Sequence, residues 1–156
     1  GDSTIWIGPP VWSPGDQTEV SSIGKSLKWA ACHLPTKIGV KTGDCEMQKK
    51  DLSLSGHLTY GPYVKLSSGR YTFEIEYSSS SSSKEMVGKW DVHLSLPESG
   101  EIVDKGKIFG TDNKSRQLSK SFIIRPERDM AMVEIRTLAH SNMPLKIISV
   151  QITKNE

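Results

Sequence analysis

A single antiparallel all-β sandwich domain is the fold this sequence predicts. Three observations carry the prediction. Apolar residues recur at every second position in one segment after another from Leu58 to Ile152. Turn-forming residues separate those segments at the spacing of sandwich strands. No long segment holds a 3.6-residue apolar period, which disfavours α/β architectures. The 156 residues are the length of one domain, enough to bury about 70% of the unfolded surface around one core.

Taken in order, the elements differ in clarity. Gly8-Pro9-Pro10 and Ser13-Pro14-Gly15-Asp16 break regular structure early. Ile5-Trp6-Ile7 reads as a short edge strand, with Trp6 and Trp12 pinning the N-terminal segment to the sheet. A short helix is expected around Lys25–Ala31, and residues 1–33 as a whole are expected to be an irregular segment packed on a sandwich of residues 34–156. Leu34–Gly39 reads as a loop entering a short strand. Arg70–Tyr77 places Tyr71, Phe73, Ile75 and Tyr77 on one side, and Thr72, Glu74 and Glu76 on the other. That is the mark of a half-buried strand. Trp90, Val92, Leu94 and Leu96 do the same against Asp91, His93 and Ser95. Ile102-Val103 and Lys107–Phe109 are shorter candidates. Phe122 and Ile124, Val133 and Ile135, and Ile148, Val150 and Ile152 mark the last strands. The six serines from Ser78 to Ser83 read as a flexible, solvated connection, having nothing to bury.

Composition removes several classes of function. Twenty basic residues face 18 acidic ones, for a net charge of +2. Lys49-Lys50 is the sole adjacent basic pair, so the sequence lacks the basic stripe of a nucleic-acid binder. No apolar run approaches a membrane span. Gly1 has the look of a cut point, so a piece of a longer protein is expected. With no basic-then-apolar leader, Cys32 and Cys45 read as free thiols of a reducing compartment, against the alternative of a disulfide in a secreted protein. The four histidines, His33, His57, His93 and His140, lack metal-ligand spacing, so no metal is expected.

The segment from Gly56 to Phe73 has its own logic. An extended stretch ends at Leu66, Ser68-Gly69 supplies a tight turn, and a strand restarts at Arg70. Gly61-Pro62 should break or bulge the ladder, because proline gives no N–H. This segment resembles the G-x-Y-x-x-x-x-x-Y hairpin of jelly-roll carbohydrate-binding modules. Together with Leu34-Pro35-Thr36-Lys37-Ile38-Gly39, it looks more closely like accessory domains of bacterial surface-polysaccharide (O-antigen) assembly proteins and glycosyltransferases. Their pattern is L-P-T-x-x-G, then G-x-L-x-Y-G-P-Y-x-x-L-x-x-G-x-Y. Val133-Glu134-Ile135-Arg136 and Pro144–Val150 look like the closing strands of the same domains. The resemblance spans residues 34 to 153. It implies a non-catalytic module that binds polysaccharide or oligosaccharide, attached to a glycan-assembly or export protein; with the free-thiol reading, the expected place is the cytoplasm, including its membrane face. The sequence departs from the pattern at its polyserine connection. It also lacks the aspartate before the last strand that related calcium-containing modules often carry, so a structural calcium is not expected, nor any other cofactor.

The residues themselves support recognition better than catalysis. The sequence has no G-x-S-x-G, phosphate loop or G-x-G-x-x-G. Asp91 and His93 share a strand face and are placed to form an acid–imidazole pair, but no nucleophile accompanies them. Sugar binding needs a flat ring against the C–H face and paired hydrogen bonds to hydroxyls. Side chains of those types out of phase with the core are His57, Tyr63, Asp91, His93 and Arg136. Trp29, as a loop platform or a plug over one end of the sandwich, and Asn142, in the loop between the last two strands, complete the candidate set. Trp90 is in phase with Val92 and is assigned to the core. The rival readings are a structural, docking or oligomerisation domain without a sugar ligand, and a module of a secreted glycan hydrolase, which a Cys32–Cys45 bridge would favour.

Overall fold

A computed structural model describes residues 4–8, 19–20, 25–97 and 99–155. The proline turns expected at 9–10 and 13–16, Trp12 and Gly1 lie outside the described residues. The chain forms β1 (Thr4–Ile7), β2 (Glu19–Val20), β3 (Ser26–Ala30), β4 (Gly39–Lys41), β5 (Met47–Lys49), β6 (Gly56–Thr59) and β7 (Pro62–Leu66). The long strands follow: β8 (Gly69–Ser78), β9 (Met86–Ser95), β10 (Gly100–Phe109), β11 (Ser115–Ile124), β12 (Ala131–Ala139) and β13 (Lys146–Lys154). Among the described residues the only helical elements are two single 3₁₀ turns, Ala31–His33 and Pro126–Arg128.

Two sheets face each other, as the two-residue rhythm predicts. In the seven-stranded sheet, β13 is flanked by β8 and then β11 on one side. On its other side lie β3, with β1 beyond it, and β5, with β4 beyond it. The six-stranded sheet runs β10-β9-β12, and β12 then pairs with β7 along one half and β6 along the other. Pro62 offers no N–H, so the ladder breaks at Gly61-Pro62, a cis peptide, and divides one edge into β6 and β7.

The core lies between the sheets. Tyr71, Phe73, Ile75 and Tyr77 of β8 are buried against Trp90, Val92 and Leu94 of β9. Phe73 meets Trp90 with ring centroids 4.9 Å apart at 59°, within the favourable range for tilted aromatic pairs. Each such ring contributes about 1.5–3 kcal/mol by leaving water. The buried tyrosines keep their hydroxyls satisfied: Tyr71 donates to the Ser67 carbonyl and Tyr77 to the Phe109 carbonyl, both at 2.7 Å.

Five expectations need correction. Ser26–Ala30 is a strand, not a helix: Leu27 and Trp29 point inward, and a ladder to β13 holds the backbone. Ile102-Val103 and Lys107–Phe109 belong to one strand, β10, with a register shift between Ile102 and Asp104. The serine run is solvated at Ser80 and Ser83, as expected, but pinned at Ser79. Ser79 is buried, its N–H donates to Thr111 Oγ1 at 2.9 Å, and its hydroxyl donates to the Pro144 carbonyl at 2.6 Å. Finally, Cys32 and Cys45 are joined in a disulfide. It ties the 3₁₀ turn after β3 to the turn between β4 and β5, where the Cys32 N–H also donates to the Cys45 carbonyl at 3.1 Å. Trp6 does not pack inward: it is 61% exposed, with the Lys28 ammonium 4.8 Å from its ring. The ladder to β3 holds this segment in place.

Candidate functional site

The outer face of the six-stranded sheet carries a groove of about 370 Å³. Strand register builds it. Arg136 on β12, Asp91 on β9 and Lys105 on β10 lie side by side across three strands. Leu138, Lys89 and Lys107 form the next row. His57 on β6 closes one side, and Gly106 lies between the two β10 lysines. Alternation keeps all these side chains out of phase with Trp90 and Val92, which point into the core.

An ion pair fixes the middle of the groove. Arg136 Nε and Nη2 donate to the two oxygens of Asp91 at 2.7 and 2.9 Å, a bidentate fork. Both side chains are about one-fifth exposed. The hydrogen bonds to Asp91 raise the Arg136 pKa above its already high value. His57 is pushed below the ordinary imidazole range, first by burial and then by the Arg136 charge. It therefore presents a neutral ring with one donor and one acceptor, edge-on to Tyr60 at 6.3 Å.

Further along the same face Glu134 is a second hub. Its carboxylate lies 2.9 Å from His93 Nδ1 and accepts the Gly61 N–H at 3.2 Å. The hydroxyl of Tyr63 also bonds to it. Burial, followed by the Glu134 charge, pushes the Tyr63 pKa up to about 12, so the phenol keeps its proton as a donor. Tyr63 holds φ at +63°, a left-handed value that costs a bulky residue on the order of 1–3 kcal/mol. Gly100 gives the His93 ring its room, because a Cβ there would collide with the imidazole.

Of the seven sequence candidates, the structure thus gathers five on one face. His57, Asp91 and Arg136 line the groove, and Tyr63 and His93 meet at Glu134. The anticipated Asp91–His93 pair does not form: each side chain turns to its own partner on β12. Trp29 is 1% exposed inside the core, so it has no ring face to offer a sugar. Asn142 holds a left-handed turn at φ +63° and its N–H donates to the Leu52 carbonyl at 2.8 Å, outside the groove lining. Sequence reasoning missed Lys89, Lys105 and Lys107. The parity that selected Asp91 also selects Lys89, but the β10 pair needed the register.

Cys32, His33 and Cys45 are the one cluster of potential metal donors among the described residues. The disulfide spends both sulfurs, and a bridged cysteine is not a thiolate ligand. A second groove, of about 450 Å³, opens between the free edges of β10 and β11, bordered by Ile102, Ile123, Arg125 and Arg128.

Two stacked sheets, antiparallel except for the β1–β3 and β2–β7 pairs, make a jelly-roll β-sandwich, a fold shared with solved carbohydrate-binding modules. The similar solved structures include the C-terminal family 6 carbohydrate-binding module of LamC, a marine laminarinase of Zobellia galactanivorans. It is 13% identical, with a TM-score of 0.57 over 83% of this chain and 100% of that one. A module of Cellvibrio mixtus lichenase 5A, solved with cellotriose, is 15% identical over 83% of this chain and 97% of its own, with a TM-score of 0.55. A family 6 module of Clostridium cellulolyticum, solved with xylose, is 11% identical over 88% and 100%, with a TM-score of 0.54. At these identities the likeness establishes the fold. No protein-family model and no curated protein sequence matches the chain.

Proposed function

We propose that this chain is a non-catalytic carbohydrate-binding module whose ligand lies on the outer face of the six-stranded sheet. The observation that carries the reading is the convergence of His57, Asp91 and Arg136 in one groove. A neutral imidazole and a bidentate ion pair offer fixed donors and acceptors to vicinal hydroxyls, and Tyr63 and His93 extend the row. The solved structures with cellotriose and xylose share this fold, which supports a sugar as the ligand class. The carboxylates are engaged with Arg136 and His93, an arrangement suited to binding. The reading requires no cofactor.

The ligand we favour is a bacterial surface polysaccharide, with the module tethered to a protein that builds, exports or processes it. Weak single-site affinity is then raised by effective concentration. For the compartment, the Cys32–Cys45 bridge favours an oxidising one, so the secreted alternative is preferred to the cytoplasm. Thiol titration of native and denatured protein checks this and should find no free thiol.

Calorimetric titration with soluble polysaccharides and oligosaccharides tests the main proposal. Wild type should bind at millimolar sugar or below, and Arg136→Ala and Tyr63→Ala should weaken binding. If wild type binds no glycan, the reading is wrong. One observation favours the docking alternative: Ile102 and Ile123 are each about half exposed at the edge groove. Concentration-dependent self-association abolished by Ile123→Asp would support it.

A further inference from the structure

We infer that the groove selects an acidic glycan, one carrying uronic carboxylates or sulfate esters. The inference rests on the carbohydrate reading above and names its ligand class. Three exposed lysines border the groove: Lys89 on β9, and Lys105 and Lys107 on β10. Lys89 lies directly opposite Lys107 in the antiparallel register. Like charges in that position destabilise a sheet unless something between them compensates. Lys105 lies opposite Asp91, but both Asp91 oxygens accept from Arg136. Among the described residues, no carboxylate forms a salt bridge with any of the three ammonium groups.

The imbalance is local. The Arg136–Asp91 pair cancels, leaving the three lysines without a salt-bridge partner among the described residues, in a groove where burial and Arg136 lower the His57 pKa. The outer face of the other sheet carries Glu74 and Glu76 on β8. Lys28 on β3 shares the outward row of Glu74, so that face carries both signs. Successive outward positions on β10 are about 7 Å apart, and the next strand is about 5 Å away. The three ammonium groups thus span the scale of neighbouring sugar residues. Edge-strand lysines also discourage sheet-to-sheet pairing, but that role does not extend to Lys89 on an interior strand.

The test compares four probes: oligogalacturonate, dextran sulfate, a neutral cello-oligosaccharide and poly-L-glutamate. Each is titrated into wild type and into the triple variant Lys89→Gln/Lys105→Gln/Lys107→Gln, whose fold is checked by circular dichroism. At least one acidic glycan should bind about tenfold tighter than the neutral sugar, with affinity falling as salt rises. The triple variant should lose that advantage, binding acidic and neutral sugars with equal affinity. The carboxylated and sulfated probes separate the two sources of charge. Equal binding of acidic and neutral sugars overturns the inference and leaves the carbohydrate reading intact. Equal binding of poly-L-glutamate also overturns it, as unselective attraction of polyanions. Binding of no sugar overturns both.

Discussion

The two outward faces of this sandwich are built by the same alternation and dressed differently. On the seven-stranded sheet, the outward positions of β8 are Thr72, Glu74 and Glu76, and the side-chain partners there are neutral: the Asn155 amide donates to Thr72 at 2.6 Å and the Ser115 hydroxyl to Glu76 at 2.9 Å. On the six-stranded sheet, outward side chains are locked to each other across strands, Arg136 to Asp91 and His93 to Glu134. A wetted face needs only to be soluble. A face whose polar groups are oriented by partners has given up side-chain freedom, which is what recognition requires. The difference is the one expected if, as proposed, the six-stranded sheet binds the ligand and the other supports it.

The sharpest way to break this contrast is to remove the hub. Glu134→Ala leaves the Gly61 N–H and the His93 ring without their acceptor in a site only 5% exposed. It should cost about 3 kcal/mol in urea unfolding, against about 0.5 kcal/mol or less for Glu74→Ala. Equal costs would mean that the two faces do not differ as described. Gly106→Ala comes next. A methyl there would stand 2.5 Å from the Trp90 indole, so overpacking of about 2 kcal/mol is expected, read as a lowered Tm.

Smaller effects sharpen the comparison. A double-mutant cycle of Asp91→Ala and Arg136→Ala should return a coupling of about 1 kcal/mol, reduced from a fully buried pair because both side chains touch water. The smallest effect is one of pH. His57 has a depressed pKa in the fold: burial and the charges of Arg136 and Lys37 lower it, while Asp91 and Glu134 oppose them. As pH falls, the unfolded chain takes up this proton first. The associated stability is present above about pH 6.5 and is lost as pH falls through the folded value. Tm measured downward from neutral pH should therefore decline less for His57→Gln than for wild type.

Much of the sandwich was legible because its long strands alternate cleanly. Arg70–Tyr77 and Trp90–Leu96 each have one apolar side and one polar side, and the core follows from that alone. β3 was not legible: Trp29-Ala30-Ala31-Cys32 runs four apolar residues together, and the strand that organises it, β13, lies at the other end of the chain. β10 was obscured because it is an edge, where Ile102 and Phe109 remain exposed and Gly106 interrupts the rhythm. At the site, parity found Asp91, His93 and Arg136. It could not say which carboxylate each would meet, since that depends on β9 lying beside β12. Trp29 was misplaced for the same reason as its strand. Asn142 drew attention as a polar loop residue, whereas its conformation marks a turn-former.

The serine tract carries a consequence of its own. Thr111 and the Pro144 carbonyl grip whichever residue stands at position 79, and its neighbours along the run are chemically identical to it. The clasp therefore specifies a place and not an individual residue. If the tract is lengthened by one serine, an equivalent hydroxyl is expected to occupy the grip, with the surplus residue taken up at the exposed tip around Ser83 and Lys84. Sameness along the run is what would let this connection accept an insertion.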